Sequence, residues 1–569
     1  MSPVPPGGNK AAATRPTAVQ AAAPGAAPAA TGDDGPTRRG GLHSPRWVQV
    51  ARYAPILIPA AVMLVFGLWG LARDSSMGND EVATRWAALL SLRELAHLLT
   101  NVDAVHGLYY LVMHAWVAVG SSPTALRVPS VIAMVVAVAL VGLLARRLTG
   151  SAWPALFAGL VMALTPTISF YAQTARSYAM VLACVVAATL VLVRALEAEA
   201  ADDDPRRARR WWIGYAALIA LSGYLNEMAL LVLAAHAVTV LVARPGKRAV
   251  QHWFTAGVVG AALVVPLLGL SVKEQAAIGW IPRPGLAALT LLFHDYFGAT
   301  TIVAVLLFAC AVLAVLPRRS SHLAPATSAA APPAEPGSGV GAPWWRGGVS
   351  LPSVAAPLLV IPGFLLLAES RVLDPLYVDR YVLYGEAGAA LLVGAGAYRA
   401  GQWAARLVAQ PGVRRIVILL PGVVLCVLAL TLQFASDQAI RTPQSRAYDF
   451  GGSASYIGAH ARRGDGVLYF DTLFRKDELG YPGDFTKVTD FAEAESPTQA
   501  GNFRGVDKSF AQTQPLMLGY QRIWVVGAQP SATLPTALMR SESATLANRF
   551  HLVDIVYFKG ITVTLWIRR

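Results

Sequence analysis

The chain has 569 residues, 55% of them hydrophobic and only 14% charged, with a mean hydropathy of +0.49. An ordinary soluble domain carries roughly 25% charged residues, so a soluble globular enzyme is excluded and long stretches must meet lipid. The net charge of +14 comes from 47 Lys and Arg against 33 Asp and Glu; these basic residues lie between apolar runs, which makes them topology signals and not a nucleic-acid surface.

Residues 1–46 are rich in Ala, Pro, Gly and Thr without apolar periodicity, and they are expected to be disordered. The first apolar run, about 53–71, has no small-residue cleavage site and reads as a retained membrane helix. Further runs fall at about 107–119, 128–145, 153–169, 178–195, 211–225, 228–243, 253–271, 300–316, 351–368, 381–398 and 415–434. Basic clusters separate them: Arg38-Arg39, Arg146-Arg147, Arg206 to Arg210, Arg244 to Arg248, Arg318-Arg319 and Arg399 to Arg415. All six clusters fall on the cytoplasmic side only if 107–119 does not span. That run is also short against the roughly 20 residues a span requires, so it is expected to lie along the outer face or dip into it.

The expected fold is therefore mainly α, a polytopic membrane protein of about 11 transmembrane helices with outer-face juxtamembrane helices. The N-terminus is expected in the cytoplasm, the C-terminus outside. The Pro-, Ala-, Ser- and Gly-rich stretch 320–348 reads as a disordered cytoplasmic loop within a membrane domain of residues 47–434. From about 435 the pattern changes. GVLYF (466–470), RIWVVG (522–527), HLVDIVYF (551–558) and ITVTLWIR (561–568) read as strands, and 445–464 and 533–550 as helices. Residues 435–569 are thus expected to form a small extracytoplasmic α/β domain. Cys184, Cys310 and Cys426 all lie in apolar runs, which rules out a disulfide framework.

The outer loops collect the polar residues with chemical potential. Asp80 and Glu81 follow the first helix, and acids at a membrane surface are costly to dehydrate without a partner or a task; a solvated loop charge is the plain alternative. Asp103, His106, Tyr109 and Tyr110 stand at the entry to the non-spanning run, where a lone His and a Tyr pair are ordinarily structural. Arg176 and Tyr178 follow Gln173 in the second outer loop. Arg176 runs against the positive-inside bias and needs an anion: Asp80, Glu81 or a ligand phosphate. Arg380 and Tyr381 open a later helix and raise the same question, with Asp374 and Asp379 as local neutralisers. With aromatic residues including Trp280, this outer face suits a lipid-linked anion whose tail stays in the bilayer. An acid that takes a hydroxyl proton and cations that hold a leaving phosphate suffice for group transfer.

Four features in this order give the sequence a family resemblance: Asp80-Glu81 after helix one; Asp103-Ala-Val-His106-Gly107-Leu108-Tyr109-Tyr110 before a short apolar run; LTPTISFYAQTARSYAM (164–180); and Asp379-Arg380-Tyr381-Val382-Leu383 before a late helix. Together they resemble the glycosyltransferase C superfamily, in the branch of polyprenyl-phosphate-sugar transferases related to protein O-mannosyltransferases and aminoarabinose transferases. The resemblance covers roughly 50–435. It departs from the family at three places: His106-Gly107-Leu108 for His-Pro-Pro, Thr174-Ala175-Arg176 for Glu-Ala-Arg, and Tyr384-Gly385 where Pro is usual. The lost Glu puts a second carboxylate or metal ligand in that loop in doubt.

The resemblance implies a membrane glycosyltransferase that moves a sugar of the mannose or arabinose type, with inversion, from a polyprenyl-phosphate donor to an acceptor on the outer face of the cytoplasmic membrane. The acceptor is a protein, lipid or polysaccharide. Asp80 would be the general base and Glu81 its orienter or substitute. Arg176 and Arg380 would face the donor phosphate, with Asp103, His106, Tyr109, Tyr178 and Tyr381 binding substrate. No cofactor is expected; a divalent metal stays open as an alternative that no residue pattern indicates. The competing readings are a lipid-linked-sugar flippase or transporter, and an inactive relative acting as a partner subunit. The absence of an internal repeat and the loop position of the acids favour the enzyme over the first; the intact Asp80 argues against the second.

Overall fold

Backbone polar groups in lipid must be satisfied within their own segment, which leaves helices as the solution for runs of this length. The computed structural model describes residues 46–73, 76–202, 204–274, 279, 281–317, 348–528 and 536–569. The stretches 1–46 and 320–348, expected to be disordered, lie almost wholly outside the described residues, as does Trp280.

Helix α1 (Arg46–Leu68) is followed by a run of short elements: α2 (Asn79–Leu89), α3 (Leu92–Leu99), a single 3-10 turn at Ala104–His106, and α4 (Gly107–Trp116). The ten-residue α4 is the run expected not to span, and its Gly107, Tyr109, Tyr110 and Met113 are buried. Long apolar helices follow: α5 (Pro123–Thr149), α6 (Ala152–Ala163) with α7 (Pro166–Ala172), α8 (Tyr178–Ala201) and α9 (Pro205–Leu225). Next are α10 (Val232–Ala243), α11 (Lys247–Ala262), α12 (Val265–Ser271), α13 (Ala287–Phe297) and α14 (Thr301–Val315). The helical part closes with α15 (Leu351–Val372), α16 (Gly385–Ala404) and α17 (Pro411–Leu432). All eleven runs expected to span fall on helices. By length and composition alone, four helices are long and apolar enough to cross a membrane (α5, α8, α15 and α17), and up to seven if each bent pair is one span. The bent pairs are α6 with α7 at 67°, α11 with α12 at 44°, and α13 with α14 at 76°. Continuous apolar sequence hides the first two breaks; the third joins α14 to α13, which no apolar run read from the sequence covers. In the first two a proline stands at the start of the second helix, Pro166 and Pro266, where it cannot continue the hydrogen-bond ladder.

After α18 (Phe434–Ala439) and α19 (Phe450–His460) the chain enters a sheet of order β2-β1-β5-β7-β6. Strands β1 (Asp465–Tyr469), β2 (Val488–Asp490) and β5 (Arg522–Gly527) run parallel. Strands β7 (Ile561–Arg568) and β6 (Phe550–Phe558) add to β5 antiparallel. All four expected strands are present within a residue of their read boundaries. The two-stranded β3 (Glu493–Glu495) and β4 (Val506–Asp507) are too short and too polar to have shown an alternation. Helix α20 (Lys476–Gly480) sits between β1 and β2 in sequence and packs on α2. Residues 52–569 cluster as one compact unit, so the C-terminal sheet and the helical part share a core. Of the small unit 1–51, only the first turns of α1 are described.

Candidate active site

Helix α2 starts at Asn79, and its first turn carries both acids of the first outer loop. Adjacent helical side chains diverge by about 100°, and here they go to different fates. Glu81, at the third helical position, turns back and accepts from the Gly78 backbone N–H at 3.0 Å, as in a capping box. It also accepts from Arg127 Nε and Nη2, both at 2.8 Å, and from the Ala175 N–H at 2.9 Å. Its side chain is 2% exposed and Arg446 stands 3.8 Å away. Burial works against the charge, but Arg127 and Arg446 outweigh it and bring the Glu81 carboxyl down to about 2. Every oxygen of Glu81 is thus committed to protein donors.

Asp80 faces the other way, into a cavity of about 780 Å³, and keeps 32% of its side chain exposed. Its Oδ1 lies 3.8 Å from Arg176 Nη2, and its Oδ2 lies 3.9 Å from Arg380 Nη2. These separations are ion pairs without direct hydrogen bonds, leaving each oxygen room for another partner. Burial raises the Asp80 carboxyl, yet Arg176, Arg380 and Lys476 together hold it well below the usual carboxylate range. It is ionised at any physiological pH.

The two arginines are held by tyrosines. Arg176 Nη1 donates to Tyr110 Oη at 2.7 Å, and Tyr110 in turn donates to Asp103 Oδ2 at 2.5 Å. Asp103 adopts a left-handed backbone, φ 61°, which Asp tolerates better than most residues, and brings its carboxylate to 3.4 Å from Arg176 Nη2. The Nε of Arg176 is buried without a partner. Arg380 Nε donates to Tyr178 Oη at 2.9 Å, and its guanidinium lies 5.8 Å and 5.7 Å from the ring centres of Tyr178 and Tyr381. Asp379, read as a local neutraliser of Arg380, accepts from Tyr171 Oη at 2.9 Å. His106 is 4% exposed, lies between the Tyr110 and Tyr178 rings and has no partner at Nδ1. Burial and the Arg176 charge pull its pKa to about 3, so the imidazole is neutral.

Of the nine residues singled out in the sequence, eight line this cavity: Asp80, Glu81, Asp103, His106, Arg176, Tyr178, Arg380 and Tyr381. Tyr109, expected to bind substrate, is the exception: it is fully buried and does not line the cavity. Its neighbour Tyr110 is equally buried and reaches the site only through its hydrogen bonds with Arg176 and Asp103. Of the two carboxylates expected to meet Arg176, Asp80 does so and Glu81 pairs with Arg127 instead; Asp103, not expected there, is the second carboxylate beside Arg176.

Sequence reading missed three cations. Arg127, in the first turns of α5, stands apart from the basic clusters as Arg176 does and was open to the same argument. Arg446 follows α18; its Nη1 donates to Thr174 Oγ1 at 3.1 Å, beside the position where the family resemblance would have a Glu. Lys476 comes from α20 and donates to Asn79 Oδ1 at 2.8 Å; no local pattern announces it. Among the described residues no three His, Cys, Asp or Glu side chains converge as a metal site.

Residues 105–269 match the family model described as dolichyl-phosphate-mannose-protein mannosyltransferase. No curated protein matches the chain. Among solved structures, ArnT from Cupriavidus metallidurans in the apo state is similar at 13% identity with a TM-score of 0.54, covering 90% of this chain and 98% of that one. The same protein bound to undecaprenyl phosphate is similar at 15% identity with a TM-score of 0.53, covering 90% of this chain and 97% of that one. At these identities the likeness is one of fold. Its coverage exceeds the span 50–435 to which the sequence resemblance was confined, so the shared fold extends into the C-terminal domain.

Proposed function

We propose that this chain, a multi-pass membrane protein with the glycosyltransferase C fold, transfers a sugar from a polyprenyl-phosphate donor to an acceptor hydroxyl. The observation that carries the reading is the placement of the Asp80 carboxylate 3.8 Å and 3.9 Å from two guanidiniums at the wall of a cavity next to apolar helices. A lipid-linked phosphate anion fits that end of the cavity, its tail lying in the bilayer. The likeness to a protein solved with undecaprenyl phosphate supports the same class of donor here.

In the reaction the acceptor oxygen attacks the anomeric carbon while the bond from that carbon to the phosphate oxygen breaks. The proton of the acceptor hydroxyl passes to an Asp80 oxygen. The electron pair of the broken bond leaves with the polyprenyl phosphate, whose added negative charge is met by Arg176 and Arg380. One displacement inverts the anomeric centre. A phosphate monoester is an adequate leaving group, so no general acid is required. A strongly acidic Asp80 is a weak base in the empty cavity. An anionic donor shares the two arginines and so raises the basicity of Asp80 when substrate is bound. Glu81 takes the role of a positioning residue: its ties to Arg127, Gly78 and Ala175 fix α2 against the 173–177 turn that carries Arg176. The sugar is of the mannose or arabinose type and the acceptor a protein, lipid or polysaccharide. The reaction takes place on the outer face with no cofactor.

The test is transfer of radiolabelled sugar from a polyprenyl-phosphate donor by the purified protein in detergent. Label in the acceptor fraction that disappears with Asp80→Asn supports the reading. Translocation of the intact lipid-linked sugar without transfer would replace it with the flippase.

A further inference from the structure

The geometry points to Lys476 as a positioning residue for this transfer, carried into the cavity by the C-terminal domain, where its ammonium orients Asn79 and Asn79 in turn orients Asp80. The inference rests on the transferase reading above and adds to it a residue outside every motif that carried the resemblance.

Lys476 opens α20 and is 6% exposed. Lysines near apolar surface usually carry the ammonium out to water; this one turns it inward. Its Nζ donates to Asn79 Oδ1 at 2.8 Å and approaches the Asn79 carbonyl oxygen at 3.5 Å. Asn79 Nδ2 then donates to Asp80 Oδ1 at 3.4 Å. A lysine can only donate, so the amide oxygen must face it, and the amide nitrogen is thereby left for the carboxylate. The three side chains form one directed chain ending on the oxygen that also faces Arg176. The Phe503 ring lies 5.1 Å from Nζ and packs edge-on against Trp86 of α2 at 5.5 Å, closing the site from the C-terminal side.

The charges that act on Lys476 are those of Asp80 and Asp103 from the segment after α1, Arg176 from the turn after α7, and Arg504 from its own domain. Burial prevails over the two carboxylates and draws the ammonium down to about 8. Once neutral, Lys476 still has donors, but it no longer fixes the Asn79 amide strongly and no longer adds positive charge at the phosphate end of the cavity.

The experiment measures transfer from a polyprenyl-phosphate sugar by the full-length protein in detergent, from about pH 6 to about pH 10, for wild type, Lys476→Arg and Lys476→Met. The donor is a phosphodiester and does not titrate in this range. Wild-type kcat/KM is expected to fall above about pH 8 as Lys476 loses its proton. Lys476→Arg stays charged and should move that limb up by at least about one pH unit. Lys476→Met should lower kcat at neutral pH by about tenfold or more and remove the limb. Lys476→Met leaves the Asn79 amide oxygen without its donor and should melt somewhat lower than wild type, whereas Lys476→Arg keeps both donor and charge, so the melting midpoint is measured beside each rate. Full turnover in Lys476→Met, or an unchanged alkaline limb in both variants, overturns the positioning role. A rate that falls only in step with the melting midpoint assigns Lys476 to the domain interface and overturns it too. Failure of the wild type to transfer at all sinks the transferase reading instead, and is recognised before any variant is compared.

Discussion

At the scale of single residues, the two neighbouring acids divide one task. Asp80→Asn is nearly isosteric and removes only the proton acceptor, so it should leave folding intact and reduce transfer by at least about 100-fold; near-normal turnover would remove Asp80 from the base role. Arg176→Ala and Arg380→Ala should each raise the transfer barrier by about 2–4 kcal/mol, the scale of one donor to a developing anion, with expression much less affected. Loss of both together would mark structural ion pairs. Glu81→Gln should act first on stability, because it breaks a pair buried at 2% exposure on both sides, for which about 3–5 kcal/mol is usual. The pH dependence has a definite sign. Glu81 moves from 4.5 to about 2 on folding, so its contribution is present above 4.5 and is lost as pH falls toward 2. The difference in melting midpoint between wild type and Glu81→Gln should therefore shrink on acidification; a constant difference would mean that the Arg127 pair does not contribute.

At the scale of elements, α16 shows how closely the helices approach. A Cβ on Gly396 would overlap the Cys310 carbonyl of α14, and one on Gly401 the Ile418 carbonyl of α17; at Gly394 it would lie 2.5 Å from the Ala158 nitrogen of α6. Three helices thus meet α16 through positions without side chains, the small-residue packing that lets helix backbones approach in lipid. Gly396→Val should abolish monodisperse protein in size-exclusion chromatography, whereas Gly269→Ala, in α12 with nothing within 4 Å, should be tolerated. A monodisperse Gly396→Val protein would mean that α14 can retreat from α16. The same elements hold the site. Thr84 of α2 donates to the Ala175 carbonyl at 3.0 Å and Ser130 of α5 to the Arg176 carbonyl at 3.3 Å, which fixes the turn bearing Arg176.

At the scale of the whole molecule, the cavity is built by outer-loop segments and by the C-terminal domain together, with Arg446, Lys476 and Phe503 in its wall. On the positive-inside argument that side is expected outside the cytoplasm. A reporter within 320–348 should read cytoplasmic and one after 435 extracytoplasmic; a cytoplasmic signal from the C-terminal domain would invert the parity and move the site with it. A chain ending at 434 should insert but transfer nothing, as label incorporation would show.

The sequence by itself determined the apolar helical runs and the four main strands, and eight of its nine candidate site residues line the cavity. The runs and strands follow from local composition and periodicity and the interest of Asp80, Arg176 and Arg380 from charge near the membrane boundary, whereas the substrate-binding roles of Asp103, His106, Tyr109, Tyr178 and Tyr381 came from the family resemblance. Tertiary structure alone decided the rest. It broke two apolar runs, 153–169 and 253–271, into bent pairs and set α13 at an angle to α14, because hydropathy is insensitive to a proline or a turn inside an apolar stretch. It separated Asp80 from Glu81, because only the direction of α2 and the arrival of Arg127 from 46 residues downstream settle which carboxylate is buried. It moved Tyr109 into the core and brought Lys476 to Asn79 across 397 residues of chain, a contact between distant segments for which no local pattern exists.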